Sequence, residues 1–94
     1  MKNSFVNISL VGDAEIKELN KKHRGKNYAT DVLSFNINQK LDDGRFYLGD
    51  IVINVDQATK QAGEYGNTLE EEIAELVAHG MLHLQGVHHE GDDH

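Results

Sequence analysis

The segment at 48–55, with the sequence LGDIVINV, limits the fold more than any other part of the chain. Its apolar side chains fall on both faces of an extended strand: Ile51, Val52, Ile53 and Val55. A strand that is buried on both faces lies in the middle of its sheet. The chain has 94 residues, which allows one modest hydrophobic core and not two. We therefore expect a single domain over residues 1–94, built around this strand.

Two further strands are predicted beside it. Residues 5–11 alternate between apolar and polar side chains, which is typical of an edge strand or a half-buried strand. One face of that strand carries Val6, Ile8 and Leu10. Residues 31–37 predict the other strand, and the sequence at 42–44, Asp-Asp-Gly, favours a hairpin turn after it.

Three helices complete the predicted domain, at 14–23, 57–65 and 69–85. Asp13 and Asp56 are expected to be the N-caps of the first two helices. Thr68 and Glu71 form a capping box at the start of the third. The element order β-α-β-β-α-α predicts an α+β fold, in which a small mixed sheet is covered by packed helices.

The composition excludes several classes of protein. The chain contains no cysteine, so it has no disulfide, no thiol nucleophile and no cysteine-bound metal. No apolar run approaches the roughly 20 residues that a membrane-spanning helix needs, and the N-terminal sequence does not resemble a signal peptide. We therefore expect a cytoplasmic protein that makes no contact with membranes.

The distribution of charge is uneven. The formal net charge of −7 argues against sequence-independent binding of nucleic acid by the chain as a whole. Five of the nine positive charges nevertheless lie within ten residues: Lys17, Lys21, Lys22, Arg24 and Lys26. On the residues alone, a solvated helix face is the preferred interpretation of this cluster.

A histidine motif near the C-terminus indicates a metal-binding site. His79 and His83 are four residues apart in a predicted helix, so their side chains share one face with Cβ atoms about 6 Å apart. Gly86 can end the helix in the left-handed conformation and turn the chain back, which brings His89 toward the same point. The spacing HxxxHxxGxxH is that of metzincin zinc proteases. Three neutral imidazoles with an open fourth position describe a catalytic zinc site.

One residue separates this chain from those proteases. They carry a glutamate general base directly after the first histidine, whereas this chain has Gly80. Glu75, one turn before His79, is a weak candidate for a general base. The other histidines near the C-terminus, His88 and His94, are interpreted as solvated surface, and His23 as a favourable charge at a helix C-terminus.

The sequence around the histidines resembles the YbeY family, the bacterial rRNA maturation factors and endoribonucleases. The family motif is similar to HGxLHLxGxDH, and residues 79–89 read HGMLHLQGVHH. Further blocks that resemble the family are Leu19-Asn20, Arg24-Gly25-Lys26, TDVLSF at 30–35 and LGDI at 48–51. The chain departs from the family at His88, where aspartate is usual, at Val87, where an aromatic residue is usual, and at Asn36, where proline is common.

The resemblance implies a function and a set of site residues. One zinc ion per chain would be held by His79, His83 and His89, with Arg24 as a catalytic residue near the metal cleft. The implied activity is zinc-dependent cleavage of single-stranded RNA in 3′-end maturation of small-subunit ribosomal RNA and in ribosome quality control. The implied partners are single-stranded RNA, ribosomal RNA or the small ribosomal subunit.

The resemblance also implies that the chain is short at both ends. Family members carry a leading strand-and-helix unit and a helix after the histidine motif, and neither is expected here. An under-covered sheet edge would then favour low thermal stability and some self-association.

Two alternative functions stay open from the sequence. The first is a zinc-dependent peptidase-like hydrolase, against which Gly80 counts. The second is a non-catalytic ribosome-associated module in which the metal only fixes the fold. In a catalytic site, Arg24→Ala would lose activity and keep zinc, whereas a structural metal would be needed for folding.

Overall fold

The computed structural model describes residues 3–84 as three strands and three helices. In chain order these are β1 (Ser4–Val11), α1 (Asp13–Arg24), β2 (Val32–Lys40), β3 (Phe46–Asn54), α2 (Val55–Tyr65) and α3 (Leu69–Leu84). The predicted α+β class and element order are confirmed. Over the described residues, no helix combines the length and the apolar character that a membrane crossing requires.

β3 contains the segment that was predicted to be the central strand, and it does lie in the middle of the sheet. The sheet order is β1-β3-β2, with β3 parallel to β1 and antiparallel to β2. Ile51 and Ile53 are fully buried, and Val52 on the opposite face is 6% exposed. Burial of each such side chain contributes about 1.5–3 kcal/mol, so β3 is the main apolar element of the sheet.

The sheet separates two apolar clusters. On one side, called here the two-helix face, α2 and α3 pack on a core that includes Val32, Ile51, Ile53, Ala58, Leu76 and Leu84. On the other side, the one-helix face, α1 packs on a smaller core of Val11, Ile16, Leu33 and Val52. Because α3 contacts β2 and β3, the aliphatic residues of β1 receive less cover. Ile8 and Leu10 are 45% and 56% exposed, and the expected self-association stays a prediction.

The helix caps differ from those predicted. Asn54, rather than Asp56, is the N-cap of α2, and its side chain accepts hydrogen bonds from the backbone N–H groups of Asp56 and Gln57. Asp56 instead accepts a hydrogen bond of 2.9 Å from the backbone N–H of Asp13, the first residue of α1. Gly12 occupies the N-cap position of α1, so the prediction that Asp13 is the cap was wrong. The two helix N-termini are thus joined through Asp56 and Asn54.

The third helix begins as predicted. The backbone N–H of Thr68 donates to Glu71 Oε1 at 2.8 Å, and the backbone N–H of Glu71 donates to Thr68 Oγ1 at 3.1 Å. This reciprocal pair is the capping box. It fixes the start of α3 and therefore the rotation at which the helix presents its later residues to the sheet.

Candidate metal site

The two histidines of α3 lie side by side. Their Nε2 atoms are 3.1 Å apart, and the ring centroids are 4.8 Å apart. His83 is 4% exposed, whereas His79 is half-buried. His79 and His83 therefore share one face of α3, close to the last described residues of the helix.

The spacing of these nitrogens suits a shared metal ion. Zinc binds imidazole nitrogen at about 2.0–2.1 Å. At that bond length, a separation of 3.1 Å corresponds to an N–metal–N angle of about 100°, close to the tetrahedral value. His79 and His83 can therefore bind one ion without a change in helix geometry.

The third predicted ligand, His89, lies outside the described residues, as do Gly86, His88 and His94. Within residues 3–84, no group of three or more histidine, cysteine, aspartate or glutamate side chains is arranged to hold a metal ion. The three-ligand assignment therefore stays a prediction.

Gly80 brings the histidine-bearing turn close to the sheet. A Cβ atom at this position would lie 2.9 Å from Ile51 Cγ2 and 3.1 Å from Ser34 Oγ. The Ser34 hydroxyl also donates a 3.3 Å hydrogen bond to the carbonyl oxygen of Gly80. The position that carries glutamate in the zinc proteases thus faces the packed sheet, where a glutamate side chain has no room.

We expect Gly80→Ala to destabilise the domain by about 1–3 kcal/mol, because the added methyl group overpacks the contact with β2 and β3. Gly63→Ala in α2 is the matched control, since nothing lies within 4 Å of a Cβ atom there. That control should raise stability slightly, as alanine favours a helix by up to about 1 kcal/mol over glycine. Urea unfolding of both variants measures the difference. Equal stability changes would show that α3 can move away from the sheet freely.

Arg24 is the last residue of α1 and is half-buried. Gly25, in the left-handed conformation at φ 70°, ends the helix, and its N–H donates to the carbonyl of Lys21. The last turn of α1 carries Lys21, Lys22, His23 and Arg24. Their positive charge is favourable at a helix C-terminus.

The end of α1 is held over β2 by an aromatic contact. The His23 ring meets the Phe35 ring edge to face, with centroids 5.2 Å apart. Neighbouring residues of a strand point to opposite faces, so Ser34 contacts α3 while Phe35 contacts α1. β2 is therefore the element on which the basic helix end and the histidine helix both pack, from opposite sides.

Two polar residues near the site, Ser34 and Asp50, lie within strands, Ser34 in β2 and Asp50 in β3. Glu75 is exposed on α3. The Asp50 carboxylate accepts a hydrogen bond from the Tyr47 hydroxyl. This bond is the main cause that raises the pKa of Tyr47 above its usual value of 10.0, and burial and the charge of Asp50 act in the same direction.

Comparison with known proteins identifies the family. The sequence model of the family described as Endoribonuclease YbeY matches residues 1–94. The chain belongs to the YbeY endoribonuclease family. The resemblance seen in the histidine motif and in the blocks around Arg24 and β3 is thus confirmed over the whole chain.

Individual YbeY proteins agree with this assignment. Endoribonuclease YbeY of Alkaliphilus oremlandii is 50% identical over 91 residues, which cover 94% of this chain and 60% of that protein. The Moorella thermoacetica protein is 48% identical over 93 residues, which cover 90% and 60%. The Aquifex aeolicus protein is 44% identical over 90 residues, which cover 96% and 59%. The chain therefore spans about three fifths of the length of these YbeY relatives.

A solved structure shares the fold. The solution structure of a Thermotoga maritima protein superposes with a TM-score of 0.61 at 40% identity, over 84% of this chain and 49% of that one. The similarity in sequence and structure supports the arrangement of the small mixed sheet and its helices.

Proposed function

We propose that this chain is a zinc-dependent endoribonuclease that cleaves single-stranded RNA. The observation that carries the proposal is the 3.1 Å spacing of the His79 and His83 Nε2 atoms in a chain of the YbeY family. We infer that His89 is the third ligand and that one zinc ion binds per chain. Three histidine ligands leave the fourth position open for water or substrate, which is typical of catalytic zinc.

A bound zinc ion would supply Lewis-acid polarisation of a phosphoryl oxygen and a water of lowered pKa. The chain's own residues would bind the phosphate and accept a proton. The Arg24 guanidinium can donate two parallel hydrogen bonds to the scissile phosphate, which orients it and offsets the charge that develops there. Glu75, exposed one helical turn before His79, is our candidate for the group that accepts a proton.

The basic end of α1 gives this activity a local electrostatic basis. The net charge of the chain is −7, yet four positively charged or titratable residues meet in the last turn of α1. A positive patch of this kind raises the local concentration of a polyanion despite the acidic mean. We propose ribosomal RNA of the small subunit as the substrate, 3′-end maturation as the process and the cytoplasm as the site of action.

The packing around Gly80 leaves no room for the glutamate that acts as general base in zinc peptidases. Gly80 stands where zinc proteases carry glutamate, and the position is filled by Ile51 and Ser34. The packing therefore favours an RNA hydrolase over a peptidase of the metzincin type.

A cleavage assay on one purified sample tests the proposal. The zinc-loaded protein is incubated with an end-labelled unstructured RNA, with the same RNA in a full duplex, and with fluorescent casein. We expect cuts in the single-stranded RNA alone, lost on addition of a chelator and restored by zinc. Folded, zinc-bound protein that leaves the RNA intact, or that digests casein, would contradict the proposal.

A further inference from the structure

The one-helix face of the sheet is only partly covered by α1. The core beneath α1 includes Val11 at the end of β1 and Val52 near the end of β3. Toward the other end of the same face lies a row of partly exposed side chains, called here the open strip. It consists of Phe5, Tyr47, Asp50, Phe35 and His23.

One end of the open strip is a stack of aromatic and cationic groups. The Phe5 and Tyr47 rings are nearly parallel, at 7°, with centroids 4.9 Å apart. The Arg45 guanidinium carbon lies 5.0 Å from the centre of the Phe5 ring. Arg45 is itself held by Asp43, with Nε 2.7 Å from the carboxylate. The guanidinium plane is thus anchored beside the rings, in contact with solvent.

The strip continues without a break to the basic end of α1. The Tyr47 hydroxyl donates to Asp50, and Asp50 is paired in register with Phe35 on the neighbouring strand. The Phe35 ring contacts His23 at 5.2 Å, and Arg24 follows His23 in the chain. The open strip therefore has a cation at each end, with aromatic surface and one carboxylate between them.

We propose that the open strip binds unpaired bases of the RNA substrate, on the face of the sheet opposite the histidine helix. This inference rests on the proposed function, which makes single-stranded RNA the ligand. Aromatic side chains on an open sheet face are a common platform for RNA bases, because every base offers a flat surface for stacking. Arg45 and Arg24 would contact phosphates on either side. The Asp50 carboxylate would accept a hydrogen bond from an exocyclic amino group, which favours cytosine or adenine over uracil.

Binding of a labelled oligonucleotide tests the strip. Fluorescence anisotropy is measured on the zinc-loaded protein with a short unstructured RNA whose riboses are 2′-O-methylated. Tyr47→Leu keeps an apolar side chain and loses the ring, and we expect affinity about tenfold to a hundredfold lower. Tyr47→Phe keeps the ring and should bind RNA nearly as wild type. Tyr65→Ala is the matched control, because Tyr65 is 70% exposed on α2, on the opposite side of the sheet.

A second measurement needs no variant and so does not depend on folding. RNA that carries 5-iodocytidine is photo-crosslinked to the wild-type protein, and the modified peptides are identified by mass spectrometry. We expect crosslinks in the segments 4–11, 32–40 and 46–54, which carry the aromatic residues Phe5, Phe35 and Tyr47 of the open strip. Crosslinks confined to other segments, or equal RNA affinity of Tyr47→Leu and wild type, would show that the open strip does not bind RNA. Neither result would contradict the proposed ribonuclease activity. If wild-type protein bound RNA through the open strip but never cleaved it, the strip would be supported as an RNA-binding site and the proposed ribonuclease activity would be refuted.

Discussion

Replacement of His83 by alanine is expected to lower zinc affinity by more than about a hundredfold. Changes to groups that only hydrogen-bond a zinc ligand already cost about 10–100-fold, and loss of a ligand removes a bond to the ion itself. His79→Ala should lower zinc affinity to a similar extent, because the Nε2 atom of His79 lies 3.1 Å from that of His83. Competition with a chromophoric chelator measures the affinity, and elemental analysis measures the zinc content.

The same series tests the third ligand. His89→Ala should match the two helix variants, whereas His94→Ala is the control and should keep zinc. If His89→Ala held zinc as tightly as wild type, the three-ligand assignment would be wrong, and His88→Ala would be the next variant to measure. Because His83 is buried, its variant also needs a circular dichroism spectrum to show that the fold is kept.

Zinc should also stabilise the fold. A ligand that binds only the native state adds about 2.7 kcal/mol at a free concentration 100 times its dissociation constant. The melting temperature of wild type should therefore rise with zinc and fall with chelator, and that of His83→Ala should respond to neither. Protons compete for imidazole nitrogen, so the zinc-dependent part of the stability should fade in acid.

The elements that could be predicted from the sequence are those with strong local signals. β3 could be placed at the centre of the sheet because its apolar residues fall on both faces. The capping box of Thr68 and Glu71 fixed the start of α3, and the four-residue spacing of His79 and His83 then placed them on one face. These features depend on interactions within a few residues of one another.

The features that could not be predicted depend on contacts between distant segments. Asp56 lies between the predicted strand and the predicted helix at 57–65, so local rules make it the N-cap of α2. Its carboxylate instead accepts a hydrogen bond from the N-terminus of α1, 43 residues away. The buried Asn54 side chain, which donates to Asp13 at 2.6 Å and to the Thr30 carbonyl at 3.0 Å, takes over the cap of α2. Only the folded arrangement of the two helices decides between these pairings.

The open strip could not be predicted from the sequence for a related reason. Simple alternation along β3 would place Tyr47 on the same face as Ile51, away from Asp50. The pairing of β1 with β3 shifts between Phe5 and Val6 and skips Leu48, while a second irregularity interrupts β2. This local change of register places Tyr47 beside Phe5 and within reach of Asp50. Bulges of this kind leave little trace in a single sequence.

Loss of the Arg24 guanidinium is expected to reduce cleavage of single-stranded RNA by about a hundredfold to a thousandfold, the usual effect of removing one donor that stabilises charge in a transition state. Zinc content and fold should be unchanged, because Arg24 ends a helix whose termination depends on Gly25. Arg24→Lys should restore activity only in part, since lysine lacks the planar pair of donors.

Lys22→Ala is the matched control for charge. Lys22 lies in the same last turn of α1 and is exposed, so its loss removes one positive charge from the same patch without removing the guanidinium. We expect its turnover to fall by a few-fold at most, with a weaker dependence on salt. Rates of cleavage at saturating RNA, compared across the three variants, separate a directed phosphate contact from general attraction. If Arg24→Ala and Lys22→Ala lost activity equally, the arginine would act only as one more charge at the end of the helix, and the phosphate would be oriented by another group.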